Sequence, residues 1–182
     1  MLSGKIVEEF EMEGKLCRIR YPRFEDYPQI HSYLNSLVGE NAMIAFDRKA
    51  KLDEGLDYTL TLLRKNEKKE SVALVLEIDS KIMGLANVDK KPLVGSHIGN
   101  FGIGLRKQAR GLGLGRRLME TTIEEARKSL RIEIVELQAF SKNKIARGLY
   151  KKLGFELIGT IKNGIKKKGR YYDELIMIKY LK

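Results

Sequence analysis

The chain has 182 residues, of which 43% are hydrophobic and 32% charged, and its net charge is +11. These proportions describe a globular chain with enough apolar material for a core and exclude a disordered one, and no apolar run is long enough to cross a bilayer as a helix. A single cysteine, Cys17, excludes an internal disulfide, and with only His31 and His97 as histidines no metal site is expected. The start, Met1-Leu2-Ser3-Gly4-Lys5, leads into alternating Ile, Val, Glu and Phe rather than a signal-peptide core, so the expected location is the cytoplasm. The positive charge favours an anionic partner such as nucleic acid, a polyphosphate ligand or an acidic protein surface; a solvated lysine-rich exterior accounts for it equally well.

Residues 5–21 read as a β-hairpin, with Ile6, Phe10 and Met12 before a Glu13-Gly14 turn and Leu16, Arg18, Ile19 and Tyr21 after it. Asp26 stands as an N-cap, Pro28 falls in the first helical turn where its missing N–H does no harm, and Tyr27, Ile30, Leu34 and Leu37 supply a buried stripe. A second helical pattern carries Leu52, Leu56, Leu60 and Leu63. Residues 71–78 and 82–88 are strand-like, and the short Asp79-Ser80-Lys81 connection makes them an antiparallel hairpin. Residues 90–96 read as a loop and 98–105 as a strand. A glycine-rich turn follows, then a helix with Leu114, Leu118, Met119, Ile123, Ala126 and Leu130 on one face. A strand over 132–140, a short helix over 144–153 and strands over 155–162 and 173–181 complete the chain. Strand pairing early and βαβ-like alternation later imply an α/β (α+β) chain with a mixed sheet and helices on both faces. No linker, repeat or low-complexity segment interrupts it, so one domain is expected over residues 1–182.

The sharpest local signal lies between the strand over 98–105 and the helix that follows. Gly111, Gly113 and Gly115 permit positive φ and close backbone approach. The N–H groups of such a turn and of the first helical turn converge with the helix dipole on one anion site, and Arg110, Arg116 and Arg117 add positive charge for a pyrophosphate. Structural glycines in a tight strand-to-helix turn are the alternative. No Gly-Lys-Ser/Thr follows, so this is not a Walker loop, and the Gly-x-Gly-x-Gly spacing late in the chain is a poor dinucleotide fingerprint.

The run Arg110-Gly111-Leu112-Gly113-Leu114-Gly115 resembles the glycine-rich motif of the GNAT superfamily of acyl-CoA N-acyltransferases, written Gln/Arg-x-x-Gly-x-Gly/Ala. The segment from Asn143 through Ala146 and Tyr150 to Leu153-Gly154-Phe155 is similar to a second motif of that family, and Ile19-Arg20 followed by Asp26 resembles its opening strand and helix. The resemblance runs from Leu16 to Leu181. The tail, residues 164–177, is similar to a branch that includes bacterial amino-acid N-acetyltransferases and ribosomal-protein N-terminal acetyltransferases.

The resemblance implies a mostly antiparallel central sheet with a splay between the family's fourth and fifth strands, and makes residues 1–15 an N-terminal hairpin extension. It also implies transfer of an acetyl group from acetyl-CoA to a primary amine of an amino acid or a peptide N-terminus, in a ternary complex that releases CoA. Pantetheine would lie in the splay against the backbones of Ile103 and Leu105. The N–H groups of Arg110, Gly111, Leu112, Gly113, Leu114 and Gly115, with Arg116, would hold the pyrophosphate. Asn143 would bond the pantetheine arm, and Tyr150 would protonate the departing thiolate. Read from the residues alone, Tyr150 belongs to a packing stripe with Ile145, Ala146, Leu149 and Leu153, and Asn143 to a helix cap; the upstream glycine motif favours the catalytic reading of Tyr150, and the roles can coexist. The partners implied are the amine acceptor and, as one assembly, a second copy of the chain in a homodimer; nucleic acid and membrane are not expected.

Two positions depart from the family pattern. Where relatives carry a carboxylate on the fourth or fifth strand, this chain has Asn100 and Gln138, and an amide is no base. Glu136, on the same side as Gln138, His97 and water are the other proton carriers, and none is assigned. The acceptor groove is expected at about residues 38–46 and 162–173, where Lys166, Lys167, Lys168 and Arg170 either attract an acidic acceptor or form a solvated tip; they disfavour a polyamine. Two rival functions remain. A nucleic-acid-binding module is supported by charge and the basic hairpin but lacks an aromatic ladder, and an acyl-CoA sensor without turnover is motivated by the absent carboxylates.

Overall fold

Alternation along the strands decides how the layers assemble. On β3 (Ser71–Ile78), Val72, Leu74 and Leu76 join one apolar cluster while Ala73 and Val75 join another, because successive side chains leave a strand on opposite faces. The computed structural model describes residues 2–181. The first cluster is covered by α3 (Leu114–Leu130) and α4 (Lys144–Lys152), the second by α1 (Tyr27–Gly39) and α2 (Leu52–Glu67). The remaining strands are β1 (Ile6–Met12), β2 (Lys15–Arg20), β4 (Lys81–Lys90), β5 (Ile98–Leu105), β6 (Ile134–Phe140), β7 (Glu156–Lys167) and β8 (Arg170–Tyr180). All eight form one sheet in the order β1-β2-β3-β4-β5-β6-β8-β7. Every neighbouring pair is antiparallel except β5 and β6. The mixed, mostly antiparallel sheet with helices on both faces is the architecture read from the sequence.

The expected splay is present between β5 and β6. Their parallel register runs from Ile98↔Ile134 to Phe101↔Leu137 and stops. Beyond it, residues 102–105 pair only with β4, and Gln138, Ala139 and Phe140 pair only with β8. Close packing shapes the free end of β5. A Cβ on Gly104 would stand 2.5 Å from the Tyr33 hydroxyl and 2.9 Å from Leu37 Cδ1, so α1 lies directly on that backbone.

Several local expectations are corrected. The second helix forms, but it turns Gly55, Thr59, Leu62 and Asn66 inward, leaving Leu52 and Leu60 exposed and Leu56 and Leu63 half-buried. The reason is polar as well as steric. Asn66 accepts from Ala73 N at 2.8 Å at the start of β3, and a Cβ on Gly55 would stand 2.6 Å from His31 Cβ, so the two helices approach through a glycine. In α4, Ile145 is exposed, and the buried end of the expected stripe is Tyr150 with Leu153. Tyr27 is only half-buried; Tyr33 and Val38 extend the α1 core instead.

Asp26 sits at the N-cap position of α1 but does not cap it with its side chain. Its carboxylate accepts from Arg20 Nη1 at 2.7 Å and Nη2 at 3.0 Å, and Arg20 Nε donates to Glu77 at 2.9 Å. Arg20 is 1% exposed, so these carboxylates and Tyr21 O replace its water and fix the start of α1 on β2 and β3. Removing one partner of a buried ion pair typically costs about 3–5 kcal/mol. Asp26→Ala should therefore lower stability by about 3 kcal/mol in urea unfolding. An unchanged midpoint would mean that Glu77 and Tyr21 O satisfy Arg20 alone.

Candidate active site

The turn between β5 and α3 presents a row of unsatisfied backbone donors. Gly111 and Gly113 adopt φ of 78° and 76°, and a Cβ at either would meet open space, so glycine is needed there for its conformation rather than for room. Gly115 has no such φ, and a Cβ there would make ordinary contact with Leu105 at 3.5 Å. The first donor used within the helix is Arg117 N, bonded to Gly113 O at 3.2 Å. The N–H groups of residues 111–116 therefore precede the helical ladder and point out at the positive end of the α3 dipole.

The arginines beside this turn divide into different jobs. Arg110 folds back, donating through Nε to Leu105 O at 2.9 Å and pairing with Glu40. Arg117 turns away from the turn: it pairs with Glu8 on β1 at 2.6 Å and lies 3.6 Å from the centroid of the Phe10 ring, which corrects its expected place beside a pyrophosphate. Arg116 stays on the exposed surface and pairs with Glu120 one turn on. Anion attraction at the turn thus rests on the backbone and the helix dipole more than on guanidinium groups.

The splay opens into a cavity of about 570 Å³. It brings together Ile103, Asn143 and Tyr150 of the expected site; Leu105 and the glycine turn lie beyond its lining, at the end of β5. Arg106 N donates to Met83 O of β4 at 2.8 Å. Backbone groups alternate along an antiparallel pair, so Leu105 and Ile103 turn their N–H and C=O away from β4 and into the splay. Asn143 is the N-cap of α4 and accepts from Ala146 N at 3.2 Å through Oδ1, which leaves its amide N–H₂ free to donate. Tyr150 reaches the cavity from the α3–α4 face. Burial pushes its phenol up to about 12, so it stays protonated at neutral pH and has that proton to donate.

The α1–α2 side of the cavity contains residues that the sequence reading placed differently or missed. Lys167 is not a solvated lure. It is 8% exposed, and its ammonium donates to Ala42 O, Ile44 O and Phe46 O at 2.6, 3.0 and 3.1 Å, tying the α1–α2 loop to β7. Burial and neighbouring Lys168 hold its pKa below the usual lysine value. Lys166, Lys168 and Arg170 remain exposed, with Lys166 over the Tyr171 ring at 5.2 Å. Asn100 and Gln138 do line the cavity. Gln138 is held by Glu136, which itself pairs with Lys91 at 2.8 Å, so Glu136 is not free to act as a base. His97 is exposed and outside the cavity lining. Tyr33, Tyr58, Asn87 and Glu174 also line it. Only tertiary packing brings them there, since they lie on α1, α2, β4 and β8.

Comparison with known proteins agrees with this geometry. Residues 39–155 match the model of the acetyltransferase (GNAT) family. An L-amino acid N-acetyltransferase, AaaT, of Escherichia coli (strain K12) is 35% identical over 106 residues, which are 57% of this chain; the chain spans 65% of that relative's length. Ribosomal-protein-alanine N-acetyltransferase from Brucella melitensis superposes with a TM-score of 0.79 at 29% identity, over 90% of this chain and 99% of that one. A putative acetyltransferase from Salmonella typhimurium, yncA, solved with its cofactor acetyl-CoA, has the same fold, with a TM-score of 0.80 at 23% identity over 91% and 94% of the two chains.

The Lys167 tie generates a direct expectation. A hydrogen bond to a charged group contributes about 1.5–3 kcal/mol. Lys167→Met should leave the Ile44 and Phe46 carbonyls without a donor and Ala42 O with Ile44 N alone, and should speed amide exchange at Ala42 and Ile44 by roughly tenfold or more, the equivalent of about 1.4 kcal/mol. Exchange at the wild-type rate would mean that the loop is held by its apolar contacts and not by the ammonium.

Proposed function

Because the chain belongs to the acetyltransferase (GNAT) family, we propose that it is an N-acetyltransferase that moves an acetyl group from acetyl-CoA to a primary amine of a free amino acid or a protein N-terminus. The observation that carries this reading is the open pair of strands. Ile103 offers its N–H and C=O, and Leu105 its N–H, to a gap that has a phenol donor on one side and a row of free N–H groups at its end, while Leu105 O is held by Arg110. An extended arm with amide groups can add to such an edge as a strand does. The N–H groups of residues 111–116 suit a pyrophosphate, and the free Asn143 amide suits a carbonyl of the arm. The residues present therefore fit acetyl-CoA, which supplies the activated acetyl thioester.

The chain's own groups account for the rest. The glycine turn anchors the anionic end, and the β5 edge sets the position of the arm. Arg110, held on Leu105 O and Glu40, is placed to release that carbonyl to a ligand amide. Tyr150 hands its proton to the leaving sulfur, a task that suits a buried phenol kept protonated at neutral pH. The acceptor approaches from the α1–α2 face, where Lys167 holds the loop that walls the cavity.

Two measurements test the reading. A ligand at a hundred times its Kd stabilises the native state by about 2.7 kcal/mol, so acetyl-CoA should raise the melting temperature measurably. Gly113→Glu or Gly115→Glu should abolish that shift by placing a negative charge at the turn; a shift retained in both variants would put the anion site elsewhere. Tyr150→Phe keeps the packing and removes the proton, and should lower turnover by roughly a hundredfold with little change in CoA binding. Wild-type turnover in that variant would leave Tyr150 a packing residue.

A further inference from the structure

Among the described residues, each carboxylate that is at least partly buried has a hydrogen-bond or ion-pair partner, with one exception. Asp26 and Glu77 hold Arg20, Glu8 holds Arg117, Asp89 holds Lys65, Glu136 holds Lys91, and Asp173 accepts from Asn163 N. The same is true of Glu54, Glu124 and Glu125, which pair with Arg48, Arg127 and Lys5. Glu174 is half-buried and has neither, in a chain with 35 Lys and Arg residues against 24 Asp and Glu. It lines the cavity that opens from the splay. A partly desolvated carboxylate left without a cation where cations are abundant marks a place for a cation from outside.

Its position on the sheet gives that cation an identity. Leu175 and Met177 of β8 are buried, and Met177 belongs to the cluster under α3 and α4, so Glu174 leaves the strand on the opposite face, toward α1 and α2. Tyr150 belongs to the α3–α4 cluster, so the phenol and the carboxylate enter the same cavity from opposite faces of the sheet. Glu174 is in register with Phe140, the last residue of β6, on the diverged side of the splay. A bulge in β7 between Ile161 and Ile165 covers it with Gly164, where a Cβ would stand 3.0 Å from Glu174 Cβ.

Resting on the N-acetyltransferase reading, we infer that Glu174 is the carboxylate that receives the acceptor ammonium and takes its proton. The other ionisable groups lining the cavity are Tyr33, Tyr58, Tyr150, Asp47, Lys166 and Lys167. Lys167 spends its ammonium on three carbonyls, Lys166 is exposed, and Asp47 lies exposed on the outer loop. The three phenols are pushed up by burial and hold their protons. Glu174 takes one proton from R–NH₃⁺. The amine lone pair forms the new C–N bond at the acetyl carbonyl, the C–S bond breaks, and the thiolate takes the Tyr150 proton. The second proton leaving nitrogen restores Tyr150, and Glu174 returns its proton to solvent, so one proton is released per acetyl group moved.

The test uses the full chain with acetyl-CoA, the free L-amino acids and tri-alanine as amine probes, and thiol release as the readout. Glu174→Gln should lower kcat/KM by roughly a hundredfold and remove the acid limb of its pH profile, because only the ionised carboxylate accepts a proton. Its melting shift with CoA should stay at the wild-type value, which reports an intact fold and cofactor site. Glu174→Asp should recover part of the rate and keep the acid limb. A Glu174→Gln profile identical to wild type, or an acid limb lost instead in Asp47→Asn, overturns the inference while leaving the acetyltransferase reading in place. A wild-type chain that binds CoA and acetylates none of these amines overturns that reading and the role of Glu174 with it.

Discussion

Two parallel strands that diverge leave backbone N–H and C=O groups facing a gap, and buried backbone groups without partners are costly. Here β5 and β6 part after Phe101 and Leu137, and the sheet does not close again between them. Part of that cost is met on β5, where Leu105 O accepts from the Arg110 guanidinium. The arrangement is stable because both strands keep a full partner on their far sides, and it is open because they lack one on the near sides.

The two walls of the resulting cavity depend on quite different forces. The α4 wall is apolar packing, in which Tyr150 sits against Phe155 with ring centroids 6.1 Å apart and inside the larger core cluster. The α1–α2 wall is a loop in which Met43 and Phe46 are exposed; Ala42 and Ile44 pack on the second cluster, Phe46 meets Tyr58 edge-on, and the Lys167 ammonium adds a polar tie on three carbonyls. A charge-assisted tie of this kind is directional and holds a loop in one geometry without filling space.

The net charge of +11 turns out to describe little of the site. The cations near the glycine turn are largely spent inside the chain: Arg110 on Glu40 and Leu105 O, Arg117 on Glu8 and Phe10. The most deeply buried cation among the described residues, Arg20, anchors the first helix and does not line the cavity. What faces an anion at the turn is the set of N–H groups before α3, and those arise from glycine conformation and helix geometry rather than from composition.

Sequence alone determined the elements and the outline of the site. Alternation and helical periodicity are local properties, which is why the mixed sheet with helices on both faces was legible before any coordinates; the splay and the placement of Ile103, Asn143 and Tyr150 beside it came from the family resemblance that the Gly111-to-Gly115 turn and the Asn143, Tyr150 and Leu153-Gly154-Phe155 pattern carry. Contacts between distant segments were not. Leucine spacing did not reveal that α2 would turn Gly55 and Asn66 inward, because the reasons lie on α1 at His31 and on β3 at Ala73. Lys167 stood in a run of like residues, and one of its neighbours in register, Arg170, stays in solvent. Lys167 became a buried tie only because residues 42–46 come within its reach in the folded chain. Glu174 carried no signal at all, since it is left unpaired by where its neighbours place their charges, Lys167 on three carbonyls and Lys166 over the Tyr171 ring, and those placements exist only in the folded chain.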